Sequence, residues 1–359
     1  MRRIGSRAGL GAAVALVALL TASAALAKPV VKTVTAGPSP AVNKVAAKLV
    51  PKSFVKTYSP DINAFFNKKV TINAGDTVAF QIRGFHTIDI PAKGGKALPL
   101  LVPGKIATGS DFAGSPFWWS GHVPTIGFNP ALLAPGKSAV YNGRKRLDSG
   151  LPLGKPKPFN ITFSKPGTYK YFCDVHPGMV GTVVVKPDGA AIPSAKQDAK
   201  ATVAQATADV KAAKKAAVAK VPADTISLGK TGPGGVELFG MFPSSLTVSA
   251  GTTVTFQMSK RSFEVHTATF GDTKTLTALA KGFQGVPFPA QGVYPSDPPG
   301  TITESLTSHG NGFANTGVLD HDSATAQILP SSQIKFTQAG TYHFICLVHP
   351  FMHGTIIVK

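Results

Sequence analysis

Residues 70–81 read Val-Thr-Ile-Asn-Ala-Gly-Asp-Thr-Val-Ala-Phe-Gln, and residues 246–257 read Leu-Thr-Val-Ser-Ala-Gly-Thr-Thr-Val-Thr-Phe-Gln. Apolar and polar residues alternate on both sides of an Ala-Gly pair. That period of two predicts half-buried strands, paired about the turn. Each copy is soon followed by a histidine, in Phe85-His86-Thr87 and Val265-His266-Thr267. Later the pattern returns twice more, in 159–169 and 334–342, both ending Gly-Thr-Tyr, and in the closing runs 181–185 and 354–358. Many short strands between Gly and Pro turns, repeated once along the chain, predict an all-β protein: two tandem Greek-key β-sandwiches over residues 28–190 and 224–359. Tyr169 and Tyr342 hold matching places after Gly-Thr. A tyrosine at a sandwich corner bonds back to the backbone; a packed aromatic is the alternative reading.

The pattern breaks between residues 191 and 223. Residues 195–220 hold no Gly or Pro and are dominated by Ala and Lys, both strong helix formers. Ser194 is placed as an N-cap and Pro222 as a stop. The expectation is a helical linker of roughly 40 Å at 1.5 Å per residue, acting as a stiff spacer; a disordered linker is the alternative. The inserts 87–158 and 267–333 are rich in Gly, Pro and Ser. They read as extended loops with some extra strand, covering one end of each sandwich. Trp118 and Trp119 read as buried loop anchors, with a partner-binding patch as the alternative.

Residues 1–27 read as an export signal. Arg2, Arg3 and Arg7 precede the apolar run 10–20, and Ala25-Leu26-Ala27 suits cleavage. An uncleaved membrane anchor is the other reading. Cleavage would leave no membrane span and place the protein in the periplasm, outside the cell or on its surface. It would also take the formal charge from +20 to +17. Such an excess favours acidic partners, an acidic redox protein or an anionic cell-surface polymer. Nucleic acid does not suit an exported chain without a basic-aromatic motif.

The only two cysteines sit in Cys173-Asp-Val-His176-Pro-Gly-Met179 and Cys346-Leu-Val-His349-Pro-Phe-Met352. A disulfide would have to join the same position of two repeats, each with its own His and Met at identical spacing. Thiolate, imidazole and thioether on one short loop form a soft donor set that suits copper. One more nitrogen has to come from another strand, and His86 and His266 are placed to supply it. The bland readings are core-filling methionines and satisfied edge histidines. His122, His309, His321, His343 and His353 show no doubled pattern.

Gly-Thr-Tyr-Lys-Tyr-Phe-Cys-Asp-Val-His-Pro-Gly-Met-Val-Gly-Thr-Val in the first half, and Gly-Thr-Tyr-His-Phe-Ile-Cys-Leu-Val-His-Pro-Phe-Met-His-Gly-Thr-Ile in the second, resemble the metal loop of small blue-copper proteins, the cupredoxins. The short loop is most similar to amicyanin and plastocyanin relatives. The resemblance covers the strand cores of both copies but not the inserts, the linker or residues 28–55. It implies two mononuclear copper sites cycling between Cu(I) and Cu(II). The first would have His86, Cys173 and His176 equatorial with Met179 axial. The second would have His266, Cys346 and His349 equatorial with Met352 axial. It also implies a carrier of single electrons rather than an enzyme, with redox partners docking where the ring edge of His176 or His349 reaches the surface.

Multicopper oxidases and copper nitrite reductases share that fold but use His-x-His pairs and a His beside the cysteine. Here Phe172 and Ile345 precede the cysteines and no His-x-His occurs. Two further roles stay open: copper storage or delivery in the envelope, and an oxidase or reductase active only as an oligomer. The copies also differ. Asp174 and Gly178 in the first become Leu347 and Phe351 in the second. A carboxylate favours Cu(II) and apolar shielding favours Cu(I), so the expectation is a higher potential at the second site.

Overall fold

A computed structural model describes residues 28–119, 122–155, 157–285, 287–321 and 329–359. The export signal expected at residues 1–27 lies outside the described residues. The fold is mostly β, with a few helices.

Two five-stranded sheets face each other in the first half. One runs Phe65–Phe66, Val31–Ala36, Thr77–Ile82, Phe159–Phe163, Ala139–Tyr141. The other runs Leu147–Asp148, Asp89–Ile90, Gly167–Phe172, Val180–Lys186, Lys69–Asn73. Their alternate residues meet in one core containing Val34, Phe80, Ile161, Val70, Tyr171 and Val183. The second half repeats the plan around Ile226, Phe256, Ile334, Phe344 and Ile356. Its sheets run Ile302–Thr303, Ser331–Phe336, Thr252–Met258, Thr225–Gly232, Val236–Phe242, Pro60–Ile62 and Ser245–Val248, His353–Val358, Gly340–Ile345, Thr269–Phe270, Ala314–Asn315.

The Ala-Gly turns do not close hairpins, contrary to the pairing expected from their alternation. Lys69–Asn73 pairs in parallel with Val180–Lys186, while Thr77–Ile82 pairs with Val31–Ala36 and Phe159–Phe163. The turn therefore carries the chain from one sheet to the facing one, and the second copy does the same. Alternation reports only that one face of each strand is buried, so it fits either arrangement. Both tyrosines do bond back at the corner: Tyr169 Oη donates to Lys165 O (3.0 Å) and Tyr342 Oη to Gln338 O (2.9 Å).

Strand Pro60–Ile62 belongs to the first half by sequence but pairs with Val236, Glu237 and Leu238 of the second. The Asn63 backbone N–H extends that contact to Gly235 O at 2.7 Å. Helix α1 (Pro40–Leu49) and helix α2 (Lys52–Tyr58) fill the chain before it.

Residues 195–217 form helix α3 (Ala195–Ala217), begun by a capping box in which Ser194 and Gln197 satisfy each other's backbone N–H. It is not the free-standing spacer its composition suggested. Ala206, Val210, Ala213 and Ala217 recur at helical spacing and are buried. Ala206 packs against Val42, Ile62 and Phe66 at one end, and Ala213 and Ala217 against Val236 and Leu238 at the other. Alanine gives a flat face that lets neighbouring backbone come close. Lys32 Nζ, on the first strand, anchors the helix start through Asp198 Oδ2 (2.8 Å) and Pro193 O (2.7 Å).

The inserts are more ordered than extended loops. The first forms a ribbon, Leu101–Ala107 with Val123–Phe128. The second holds helix α4 (Thr273–Gly282) and the short helix α5 (Ala290–Val293). They share a core in which Phe117, Trp119 and Ile126 meet Phe288, Tyr294 and Phe313. Trp119 is fully buried there, and Trp118 Nε1 donates to Pro295 O at 2.8 Å. No described helix is long and apolar enough to cross a membrane.

Candidate metal centres

Each sandwich ends in the same arrangement. A strand delivers the cysteine, a tight turn follows, and the next strand leads away. Cys173 N–H donates to Met179 O (3.1 Å) and Met179 N–H to His176 O (2.9 Å). Cys346 and Met352 repeat both bonds, at 3.1 and 2.8 Å. These bonds fold the loop so that cysteine and histidine share one side. The remaining histidine arrives from the facing segment, 87 residues earlier in the first site and 80 in the second.

In the first site Cys173 Sγ lies 3.4 Å from His176 Nδ1 and 3.7 Å from His86 Nδ1. In the second, Cys346 Sγ lies 3.7 Å from His266 Nδ1 and 3.8 Å from His349 Nδ1, and the two Nδ1 atoms are 3.1 Å apart. A first-row metal ion with bonds of roughly 2.0–2.3 Å at angles of about 100–120° would hold N and S donors about 3–4 Å apart, so both donor sets fit one. His86, Cys173 and His176 thus converge, as do His266, Cys346 and His349. Met179 and Met352 are buried in the same core cluster as their cysteines. Both cysteines are free, so the disulfide reading falls away.

Several residues that shape these sites carried no motif. Thr87 and Thr267 follow the upstream histidines, and each donates its backbone N–H to the cysteine sulfur at 3.4 Å. Their hydroxyls accept from Asp174 N–H and Leu347 N–H, both at 2.8 Å. One residue type therefore ties the two ligand segments together twice in each site. Only the repetition of His-Thr in both copies could have signalled it. Behind the upstream histidines stand Gly37 and Gly229, at φ +79° and +76°. A side chain on Gly37 would come within 2.9 Å of His86 Nε2, and one on Gly229 within 3.1 Å of His266 Nε2. Glycine is needed there for both its backbone angle and its missing Cβ.

Electrostatics separate the two sites. Burial pushes the Cys173 thiol up, but His176 and His86 more than offset it and bring it down to about 5. Burial pushes His176 down, yet Cys173 and Glu264 raise it to about 10. Both shifts run in the direction that favours a thiolate beside an imidazolium in the first site. In the second, burial drives Cys346 up to about 11, against backbone donors from Thr267, His349 and Val348. Burial and His349 take His266 down to about 3.

Asp174 turns away from the sulfur. It accepts from Thr87 Oγ1 (2.9 Å) and Leu98 N–H (2.8 Å), beside Asp89 and Asp148. Burial, then the Asp174 charge, raises Asp89 to about 7 and Asp148 to about 8, with Arg146 paired to Asp89. Leu347, its counterpart, lies fully buried against Leu276 and Ala280 of α4.

Of the ring edges expected to reach the surface, that of His176 is buried and that of His349 only partly exposed. The side chains of His176 and His349 are 6% and 18% exposed, and both Nε2 atoms face Glu264, a residue of the second half. Pro60–Ile62 and α3 hold the two halves close enough for a second-half turn to cover the first half's loop. No local motif encodes that packing.

Residues 137–186 match the family of copper binding proteins of the plastocyanin/azurin type. That segment carries Cys173, His176 and Met179 but not His86, and none of the second half. Solved structures similar to this chain include an amicyanin variant in its Cu(I) form, 19% identical over 40% of this chain and 89% of that one, with a TM-score of 0.22. Oxidised plastocyanin from Dryopteris crassirhizoma is 21% identical over 38% of this chain and 99% of that one, with a TM-score of 0.20. No curated protein matches.

Proposed function

We propose that the chain is an exported copper protein with one mononuclear site in each half, and that it carries single electrons between redox partners without being an enzyme itself. The observation that carries this is the doubled donor set: a cysteine sulfur with two inward-facing histidine Nδ1 atoms, at 3.4–3.8 Å, in each half. Copper is the metal that thiolate, imidazole and thioether suit together. Bound there, it supplies a one-electron Cu(I)/Cu(II) couple. The chain holds three donors at fixed spacing in a buried pocket, which limits rearrangement between oxidation states. Met179 and Met352 are the axial donors in this reading. The excess of basic residues favours acidic redox partners, and that attraction weakens with salt.

Metal analysis with visible and electron-spin-resonance spectra of the purified chain tests the reading. The expected result is two coppers per chain and an intense thiolate-to-copper band. Cys173→Ser and Cys346→Ser should each remove one copper and its share of the band. A colourless protein, or one that binds zinc in preference to copper at both sites, overturns the proposal.

A further inference from the structure

Glu264 stands between the two centres. Its Oε1 is 3.1 Å from His176 Nε2 and its Oε2 is 3.7 Å from His349 Nε2. The first is an ion pair at 3.1 Å and the second a longer charge contact. Both histidines turn Nδ1 toward their cysteines, so it is their outward edges that meet this one carboxylate.

The placement is built in. Asn63 Nδ2 donates to Glu264 Oε1 at 2.7 Å, from the segment that the first half adds to the second half's sheet. Glu237, 1% exposed, accepts from Phe263 N–H (2.7 Å) and Ser262 Oγ (3.2 Å) and so fixes the turn that carries Glu264. The Phe263 ring fills the space over Gly178, where any Cβ would collide with it.

We propose that Glu264 is a positioning residue shared by both metal centres: by holding the outward edges of His176 and His349 it sets the redox potential of both and links them into one unit. This rests on copper occupying both sites as proposed above. A carboxylate that accepts an imidazole N–H makes the ring a stronger donor and favours the more highly charged metal state. One negative charge therefore lowers both potentials. The effect is larger at the first site, where the contact is shorter. The same residue closes the outward edges to a partner protein.

The test is spectroelectrochemistry of the copper-loaded full chain, with Glu264→Gln and Glu264→Asp beside the wild type. Cys173→Ser and Cys346→Ser forms assign each band to its site. Glu264→Gln should raise the first site's potential by on the order of tenfold in its redox equilibrium constant, about 59 mV for one electron. The second site should shift the same way by less, and Glu264→Asp should restore part of both shifts. The wild type gives a reading that does not depend on the variants folding. The first site's potential should differ according to whether the second holds Cu(I) or Cu(II). Unmoved potentials in Glu264→Gln, a shift at one site only, or wild-type centres that behave independently would overturn the link while leaving the two-copper reading intact. A wild-type chain with fewer than two coppers overturns both.

Discussion

In the first centre Cys173 is drawn to 3.4 Å from His176, a neighbouring carboxylate anchors Thr87, and a glycine makes room for Phe263. In the second, Cys346 sits 3.8 Å from His349, a leucine replaces the carboxylate, and Phe351 lies 57% exposed beside Phe239 and His349. The backbone hydrogen bonds that build the two loops are the same, pair for pair. A repeated scaffold thus fixes which atoms converge, and the residues around it fix charge and access. The first centre is charged and sealed by the other half of the chain. The second is more apolar and is packed by residues of its own half.

Exchanging the two loop residues should break this comparison most severely. At Gly178, φ is +104° and a Cβ would run into the Phe263 ring. Gly178→Phe should therefore cost about 3 kcal/mol or more, from overpacking plus a left-handed backbone angle. Phe351→Gly gives up a half-exposed ring and some backbone order, about 1 kcal/mol. Thermal unfolding of the two variants should rank them in that order. An equal loss would mean that the 262–264 turn does not rest on the first centre.

Next in size is the difference in potential between the centres. Asp174 is 2% exposed; its carboxylate is turned from the sulfur, but it is the residue next to Cys173 and holds Thr87, whose N–H reaches that sulfur. Asp174→Asn keeps the side chain's shape while removing that charge, and should raise the first site's potential by a few tens of mV. The gap to the second site should narrow, since that site is expected to be the higher of the two. A widened gap would reverse the expected order of the two potentials.

The candidate donors that converge were legible because Cys and His sit in a short motif that occurs twice, each copy preceded by a His after matched strands. A local signal placed Ser194 at the start of α3, and the corner bond of Tyr169 and Tyr342 was one of two readings their position allowed. What was not legible depends on contacts between distant segments. Pro60–Ile62 has no pattern that says it will pair with Val236–Leu238. Glu264 is an ordinary acid in the sequence and becomes central only when two metal loops face it. The Ala-Gly turns were misread because a strand's period does not name its partner. Helix α4 did carry a signal: Asp272 caps it through Thr275 N–H at 2.9 Å, and Leu276 and Ala280 share its buried face. A Gly-rich and Pro-rich setting masked it.

A smaller effect separates α3 from the sandwiches it packs against. Asp209 is 5% exposed, and its Oδ2 has no hydrogen-bond partner among the described residues. Burial raises it from an ordinary 3.8 to about 7, against a weaker pull from Lys68. The folded chain holds this proton more tightly than the unfolded one. The stability it contributes is complete below about pH 4 and is lost as the pH rises toward 7. Asp209→Asn has no proton to lose. It should be near neutral at pH 4 and stabilising at pH 8, by on the order of 1 kcal/mol once solvent screening is allowed for. Melting temperatures at the two pH values check the sign, and a larger gain at pH 4 would refute it.

The smallest expected difference lies between the corner tyrosines. Both hydroxyls make the same bond four residues back, but Tyr169 is 5% exposed and touches Tyr141 and Phe163, whereas Tyr342 is only partly buried. Replacing either with phenylalanine removes one donor and leaves a backbone carbonyl to find another. Water can reach Gln338 O more readily than Lys165 O. Tyr169→Phe should therefore cost about 1–1.5 kcal/mol and Tyr342→Phe about 0.5 kcal/mol. Denaturant midpoints of the two variants decide it: equal losses would show that the corner bond has the same worth whether or not solvent can replace it, and that burial around the repeat does not set its strength.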